Sequence, residues 1–188
     1  MDRRNFIATG TAVAATALSM PLFSDSAKAN PPLRGKFAGD SFEYLDSPSE
    51  APNLVFQDEY GRDVSVSDYR GKVIVATIWA TWCGVCKHEM PTINKAAKRY
   101  PSSQVVFMPI SIDGNRSKIQ RYYDTYGLSS LKVFHDPDRM SLAYFGARGT
   151  PTSFLIDQQG NFRGRIEGPA GWDSADARAI IDYLVRRA

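Results

Sequence analysis

The sequence spells out one α/β domain, a mixed sheet held between helices. Three features carry that reading. Lys72 to Trp79 (KVIVATIW) is an unbroken, β-branched apolar run, the pattern of a strand buried on both faces. From Gly84 to Tyr100 the period changes to that of a helix, and Gln104 to Ile112 then reads as a second strand, so a parallel β-α-β unit is implied. Nearer the C-terminus, Thr152 to Asp157 (TSFLID) and Phe162 to Ile166 flank Gln158-Gln159-Gly160-Asn161, an antiparallel hairpin.

The first 29 residues are set apart from the fold. Arg3 and Arg4 precede an Ala/Thr-rich apolar run, and Ala27-Lys28-Ala29 offers a small-x-small cleavage site after Ala29. The run Asp2-Arg3-Arg4-Asn5-Phe6-Ile7 looks like a bacterial twin-arginine export signal, which places the mature chain in the periplasm. An uncleaved signal would instead act as an N-terminal anchor, but the apolar stretch from Ile7 to Phe23 is interrupted and short for a spanning helix. Residues 30–50 carry three prolines and no sustained periodicity, so they read as a leader, loosely packed or mobile, before a domain at 51–188.

Within the domain, Leu54-Val55-Phe56 and Val64-Ser65-Val66 surround Asp58-Glu59-Tyr60-Gly61 as a first hairpin. The helix from Gly84 to Tyr100 sets Met90, Ile93, Ala97 and Tyr100 on its apolar stripe, with Pro91 expected to kink it. Pro109 puts the pairing of the next strand in question, since it lacks a donor. Asn115 to Tyr126 is a helix ended by Gly127, and Asp138 to Phe145 a shorter one ended by Gly146. Trp172 to Arg186 closes the fold as an amphipathic helix with Ala179, Ile180, Tyr183 and Leu184 inward.

Composition narrows the chemistry. The 188 residues are 43% apolar and 23% charged, as in an ordinary globular domain, which excludes disorder and coiled coil. Loss of residues 1–29 removes three basic and two acidic residues, so the net charge moves only from +3 to +2. The basic residues are scattered rather than interleaved with aromatics, so no nucleic acid is expected as partner. Two cysteines cannot build a disulfide framework. With two histidines they make no zinc site unless carboxylates help, so neither metal nor cofactor is expected.

The two cysteines lie at Trp79-Ala80-Thr81-Trp82-Cys83-Gly84-Val85-Cys86, where a buried strand gives way to a helix. Three positions apart at a helix N-terminus, both sulfurs fall within bridging reach. Free N–H groups and the helix dipole favour a thiolate at Cys83, the attacking species in disulfide exchange, and Cys86 then resolves the mixed disulfide. A purely structural bridge is the weaker reading, because so short a loop restricts little unfolded-chain entropy.

This segment resembles the thioredoxin superfamily, and within it the exported TlpA/ResA-like thiol-disulfide oxidoreductases. The similarity rests on WATWCGVC with Lys87-His88-Glu89-Met90-Pro91 behind it, on Gly61-Arg62, on Asp68-Tyr69-Arg70-Gly71-Lys72, on Asp136-Pro137-Asp138 and on Gly149-Thr150-Pro151-Thr152, from Ala51 to Ala188. It implies a thioredoxin-like fold: a mixed central sheet flanked by helices, with an N-terminal β-hairpin and a helical insert. Thr150-Pro151 resembles the cis-proline segment that receives an extended substrate beside the redox disulfide Cys83–Cys86. Glu89 resembles the carboxylate that moves protons in reductases of this branch, its alternative being a solvated first-turn residue favoured by the dipole. Trp82 resembles the aromatic at the rim, whereas Trp79 belongs to the core. His88 is expected on the surface and His135 in the turn before Asp136-Pro137.

Two residues depart from the pattern. Thr77 stands where thioredoxins keep a buried acid, and Gly84-Val85 stands where X-Pro is commoner, which leaves the redox potential open. The resemblance implies a monomeric reductase of protein disulfides, supplied with electrons by a membrane thiol donor and serving cytochrome c maturation or copper-site assembly in an oxidase. A thiol oxidase is the second reading, against which stands the missing His between the cysteines. A copper-carrying assembly factor is the third, against which stands the narrow Cys pair. No Pro-x-x-x-Thr-x-x-Cys precedes Cys83, as peroxidase chemistry would need.

Overall fold

The computed structural model describes residues 42–45 and 47–187. The export signal, its cleavage site at Ala29 and the first part of the leader lie outside the described residues. Among these residues eight strands form one sheet: β1 Phe42–Tyr44, β2 Val55–Gln57, β3 Asp63–Ser65, β4 Val73–Trp79, β5 Val105–Ser111, β6 Phe134–His135, β7 Thr152–Ile156 and β8 Phe162–Glu167. Among the described residues four α-helices accompany them: α1 Cys86–Ala97, α2 Arg116–Tyr126, α3 Met140–Tyr144 and α4 Ala175–Val185. The spatial order of the strands is β1-β8-β7-β4-β5-β6-β2-β3.

The apolar runs occupy the middle because only there are both faces covered. Every residue of β4, β5 and β7 is buried. β4 and β5 run parallel, from Val73 opposite Val105 to Trp79 opposite Ser111, while β7 is antiparallel to β4. Pro109 sits within this ladder opposite Thr77, since one absent donor leaves the remaining pairs intact. The ends of β4, β5 and β6 and the start of β7 therefore meet at one end of the sheet, and the loops that follow or precede them form the site.

Several expectations shift. Within the stretch read as a leader, β1 pairs antiparallel with β8, Phe42 opposite Ile166 and Tyr44 opposite Gly164. The Phe42 ring lies so close over Gly164 that a Cβ there would meet it at 2.9 Å, so the sheet extends before Ala51. His135 is not in a turn: it is buried in β6, opposite Ser111 of β5 and Gln57 of β2. The first helix starts at Cys86 rather than Gly84 and buries Met90, Ile93 and Ala96, with Ala97 and Tyr100 only half-buried. The last helix starts at Ala175, capped by Ser174, and turns Ala177 and Ile181 inward beside Ile180, Tyr183 and Leu184, while Ala179 is half-buried. The helix expected over Asn115 to Tyr126 starts at Arg116, with Asn115 as its cap accepting the Ser117 N–H, and Gly127 (φ 62°) ends it in the left-handed conformation as expected. Among the described residues no helix is long and apolar enough to cross a membrane.

Candidate active site

β4 delivers the chain to the surface at Ala80, and the turn Thr81–Val85 returns it as α1. Cys83 is not the first helical residue, but it still caps the helix: the Cys86 N–H donates to its sulfur at 3.2 Å. Sulfur thus does what a capping oxygen does elsewhere, and a thiolate there gains a charge-assisted bond. The two cysteines are joined, with Cα atoms 5.3 Å apart. Their exposure differs, 7% for Cys83 and 1% for Cys86, so Cys83 is the more accessible of the two sulfurs.

The loop before β7 closes over the same sulfur. The Thr150–Pro151 peptide is cis, and Cys83 Sγ lies 3.5 Å from the Thr150 carbonyl oxygen. The Gly168 N–H donates to the Pro151 carbonyl at 2.9 Å, holding the loop from β8. Trp82 and Val85 stand exposed on either side of Cys83, an apolar rim, whereas Trp79 is fully buried against Tyr122 and Tyr123, with ring centroids 5.1 and 6.1 Å away. His88 is exposed.

Glu89 is the largest departure from a local reading. A charged residue in the first turn of a helix is ordinarily solvated, yet this one is only 2% exposed. The segment after β8 covers it: the Trp172 indole N–H donates to Oε1 at 2.9 Å and the Ala170 N–H at 3.3 Å. Oε2 is buried with no hydrogen-bond partner among the described residues. Burial pushes its pKa up to about 7, while the Trp172 and Ala170 N–H groups and, more weakly, the Ser153 hydroxyl pull it back. The same Ser153 hydroxyl is 2.7 Å from Thr77 Oγ1, directly across the β4–β7 pair. Two hydroxyls thus satisfy each other where a buried acid would otherwise stand.

Cys83, Cys86, Trp82, Glu89, Thr150 and Pro151 thus converge at one end of the sheet. Sequence reasoning missed Trp172, Ala170 and Ser153, which contact Glu89 or pull on its proton, and Asp113, which binds the backbone of Thr81. Trp172 carried a signal of a kind, a tryptophan just before an N-cap serine, but nothing local says what it covers. Among the described residues no three His, Cys, Asp or Glu side chains converge as metal ligands would.

Comparison with known proteins agrees with this geometry. Residues 48–165 match the model of the AhpC/TSA family. Thiol-disulfide oxidoreductase ResA of Geobacillus thermodenitrificans is 32% identical over 120 residues, 64% of this chain and 68% of that protein. ResA of Bacillus subtilis is 32% identical over 124 residues, 66% of this chain and 68% of its own length. The crystal structure of a thioredoxin-family thiol:disulfide interchange protein from Chlorobium tepidum superposes with a TM-score of 0.63 at 27% identity, covering 75% of this chain and 99% of the other.

Proposed function

The chain belongs to the AhpC/TSA family and is a thiol-disulfide oxidoreductase of the ResA type with a thioredoxin-like fold, and on that footing we propose that it works outside the cytoplasm as a reductase of protein disulfides. The observation that carries the direction is the surroundings of the Cys83 sulfur. An oxidase owes its high potential to a strongly stabilised thiolate. Here the sulfur accepts one N–H, from Cys86, and faces the Thr150 carbonyl oxygen, and Gly84-Val85 supplies no cation between the cysteines. A thiolate so weakly held gives its electrons away readily.

In the reductive half-reaction the Cys83 thiolate attacks one sulfur of the substrate disulfide, forming a mixed disulfide and expelling the first substrate thiolate. Cys86 then loses its proton and attacks Cys83 Sγ, which closes the Cys83–Cys86 bond and expels the second thiolate. Two electrons pass to the substrate. Glu89, three residues beyond Cys86 on α1 and poised near neutrality, is suited to take the Cys86 proton. Trp82 and the Thr150–Pro151 segment are the docking surface for an extended substrate. Export through the twin-arginine route with cleavage after Ala29 is supported by Arg3-Arg4 and Ala27-Lys28-Ala29. A membrane thiol donor, a monomeric state and substrates in cytochrome c maturation or oxidase copper-site assembly complete the reading.

The test is the equilibrium potential of the Cys83/Cys86 couple against glutathione and dithiothreitol. A value clearly below about −180 mV supports a reductase, and one near about −120 mV replaces it with an oxidase. Export is tested separately: Arg3→Lys with Arg4→Lys blocks periplasmic accumulation if the twin-arginine route is used, and unchanged yield assigns the general secretory route.

A further inference from the structure

We propose that Asp113 is a positioning residue for the nucleophile, a buried strut that holds the Thr81–Cys83 turn when the Cys83–Cys86 bond is open. Asp113 lies just past the end of β5 and is 2% exposed. Its carboxyl group receives three donors. The Thr81 N–H reaches Oδ2 at 2.8 Å, the Thr81 hydroxyl reaches Oδ1 at 2.7 Å, and the Ser111 hydroxyl reaches Oδ2 at 2.8 Å. Thr81 is two residues before Cys83, whose own N–H donates to Ala80 at 3.1 Å. The two bonds from Thr81 therefore fix the base of the turn that carries the sulfur.

The strut is itself braced. The Asp113 N–H donates to Ser111 Oγ at 3.2 Å, and His135 Nε2 donates to the Asp113 carbonyl at 2.7 Å from within β6. Since a carbonyl oxygen only accepts, that bond requires a hydrogen on Nε2. The Ile112 N–H donates to Trp79 and the Asp136 N–H to Ser111, at 2.9 and 2.8 Å. The ends of β4, β5 and β6 are thereby tied to one another around Asp113. His135 Nδ1 has no partner among the described residues, but the Asp113 carboxyl group and the Thr81 and Ser111 hydroxyls are all paired, and such a buried cluster is stiff because moving one member breaks the bonds it makes to its neighbours.

Redox state decides how much this stiffness matters. In the disulfide the turn is tethered covalently to α1, so the position of Cys83 is over-determined. In the dithiol that tether is gone and the turn depends on its hydrogen bonds. Breaking the Asp113–Thr81 bonds therefore destabilises the reduced form more than the oxidised form, and the couple becomes more reducing while Cys83 becomes a slower nucleophile. The proposal rests on the thiol-disulfide reading with Cys83 as the attacking thiol.

The experiment measures, for the mature protein, the Cys83/Cys86 equilibrium constant against glutathione, the stability of each oxidation state, and the pH profile of alkylation located by mass spectrometry. Thr81→Val removes one hydroxyl bond, changes no charge and leaves the turn able to fold. It is expected to shift the constant several-fold toward the disulfide and to slow Cys83 alkylation. Asp113→Asn is expected to shift it in the same direction by roughly tenfold, which corresponds to about 30 mV. The double variant then matches Asp113→Asn alone, since both changes break one connection. Two results overturn the strut. If Asp113 acts through its charge, Asp113→Asn makes the disulfide easier to reduce and Thr81→Val does nothing. If it serves only the scaffold, both oxidation states lose equal stability and the constant does not move. Preferential alkylation of Cys86 in the parent would overturn the choice of nucleophile instead, and the shared shift of the equilibrium constant would still support the strut.

Discussion

Glu89 in the first turn of α1 and Asp113 past the end of β5 are buried to the same degree, 2% exposed each, yet they are built into opposite situations. Asp113 receives three donors spread over both oxygens. Glu89 receives two, both on Oε1, while Oε2 has none among the described residues. The contrast teaches that burial alone does not decide what a carboxyl group does. Where donors saturate it, the group fixes geometry. Where they do not, desolvation dominates and the group is left able to exchange a proton near neutral pH.

Both groups matter only through the sulfurs, so the cysteines set the largest effect. Cys83→Ser is expected to abolish disulfide reduction, and Cys86→Ser to halt it at a mixed disulfide visible on a non-reducing gel. Equal alkylation rates at the two thiols of the reduced parent would erase the division of roles.

Glu89→Gln comes next and tests the proton side of the contrast. Glutamine keeps an acceptor for the Trp172 and Ala170 N–H groups but cannot ionise, so reduction should slow by about 10²-fold and its pH profile should flatten near 7. Stability should move the other way. The folded pKa lies above the ordinary value of 4.5, so the folded form holds a proton that the unfolded chain has released, and Glu89 lowers stability progressively between pH 4.5 and about 7. The Gln variant should therefore be more stable than the parent by on the order of 3 kcal/mol at pH 8 and equal to it at pH 4, read by urea unfolding. A parent-like rate and pH profile would make Glu89 a merely structural residue.

Trp172→Phe should sharpen the same point. It deletes the better of the two donors to the charged form, so the Glu89 pKa rises further, and the loss of stability should be about 1.5 kcal/mol larger at pH 8 than at pH 5. A loss independent of pH would mean that the indole only fills space. The smallest effect is expected from Thr77→Val, which cuts the bond to Ser153 for about 1 kcal/mol and leaves the pH profile of reduction as it was. A profile altered as in Glu89→Gln would put the Thr77 hydroxyl on the proton path.

Much of this was legible in the sequence, and for a definite reason. The strands β4, β5, β7 and β8, the hairpin β2–β3 and the helix α2 with its stop at Gly127 follow from periodicity and turn chemistry within a dozen residues. So does the placing of Cys83 and Cys86 between strand and helix, because the sulfurs bridge across a separation of 3. β1 and β6 were not legible. They are three and two residues long with no short turn joining them to a paired strand, as the turn at Asp58 to Gly61 joins β2 to β3, and each exists because a longer strand offers it an edge. Phe42 becomes part of the sheet only because Gly164 leaves room for its ring.

The sequence alone determined the redox pair, the order of the central elements and the kind of chemistry, since each depends on residues close together in the chain. Only the tertiary structure decided what becomes of the carboxyl groups around that pair. Glu89 looks solvated until Ala170 and Trp172, 81 and 83 residues away, close over it, and Asp113 looks like a turn residue until it meets Thr81, 32 residues back. Charge and hydrogen-bonding capacity are written in each side chain. Whether water or protein satisfies them is settled by what the folded chain brings alongside.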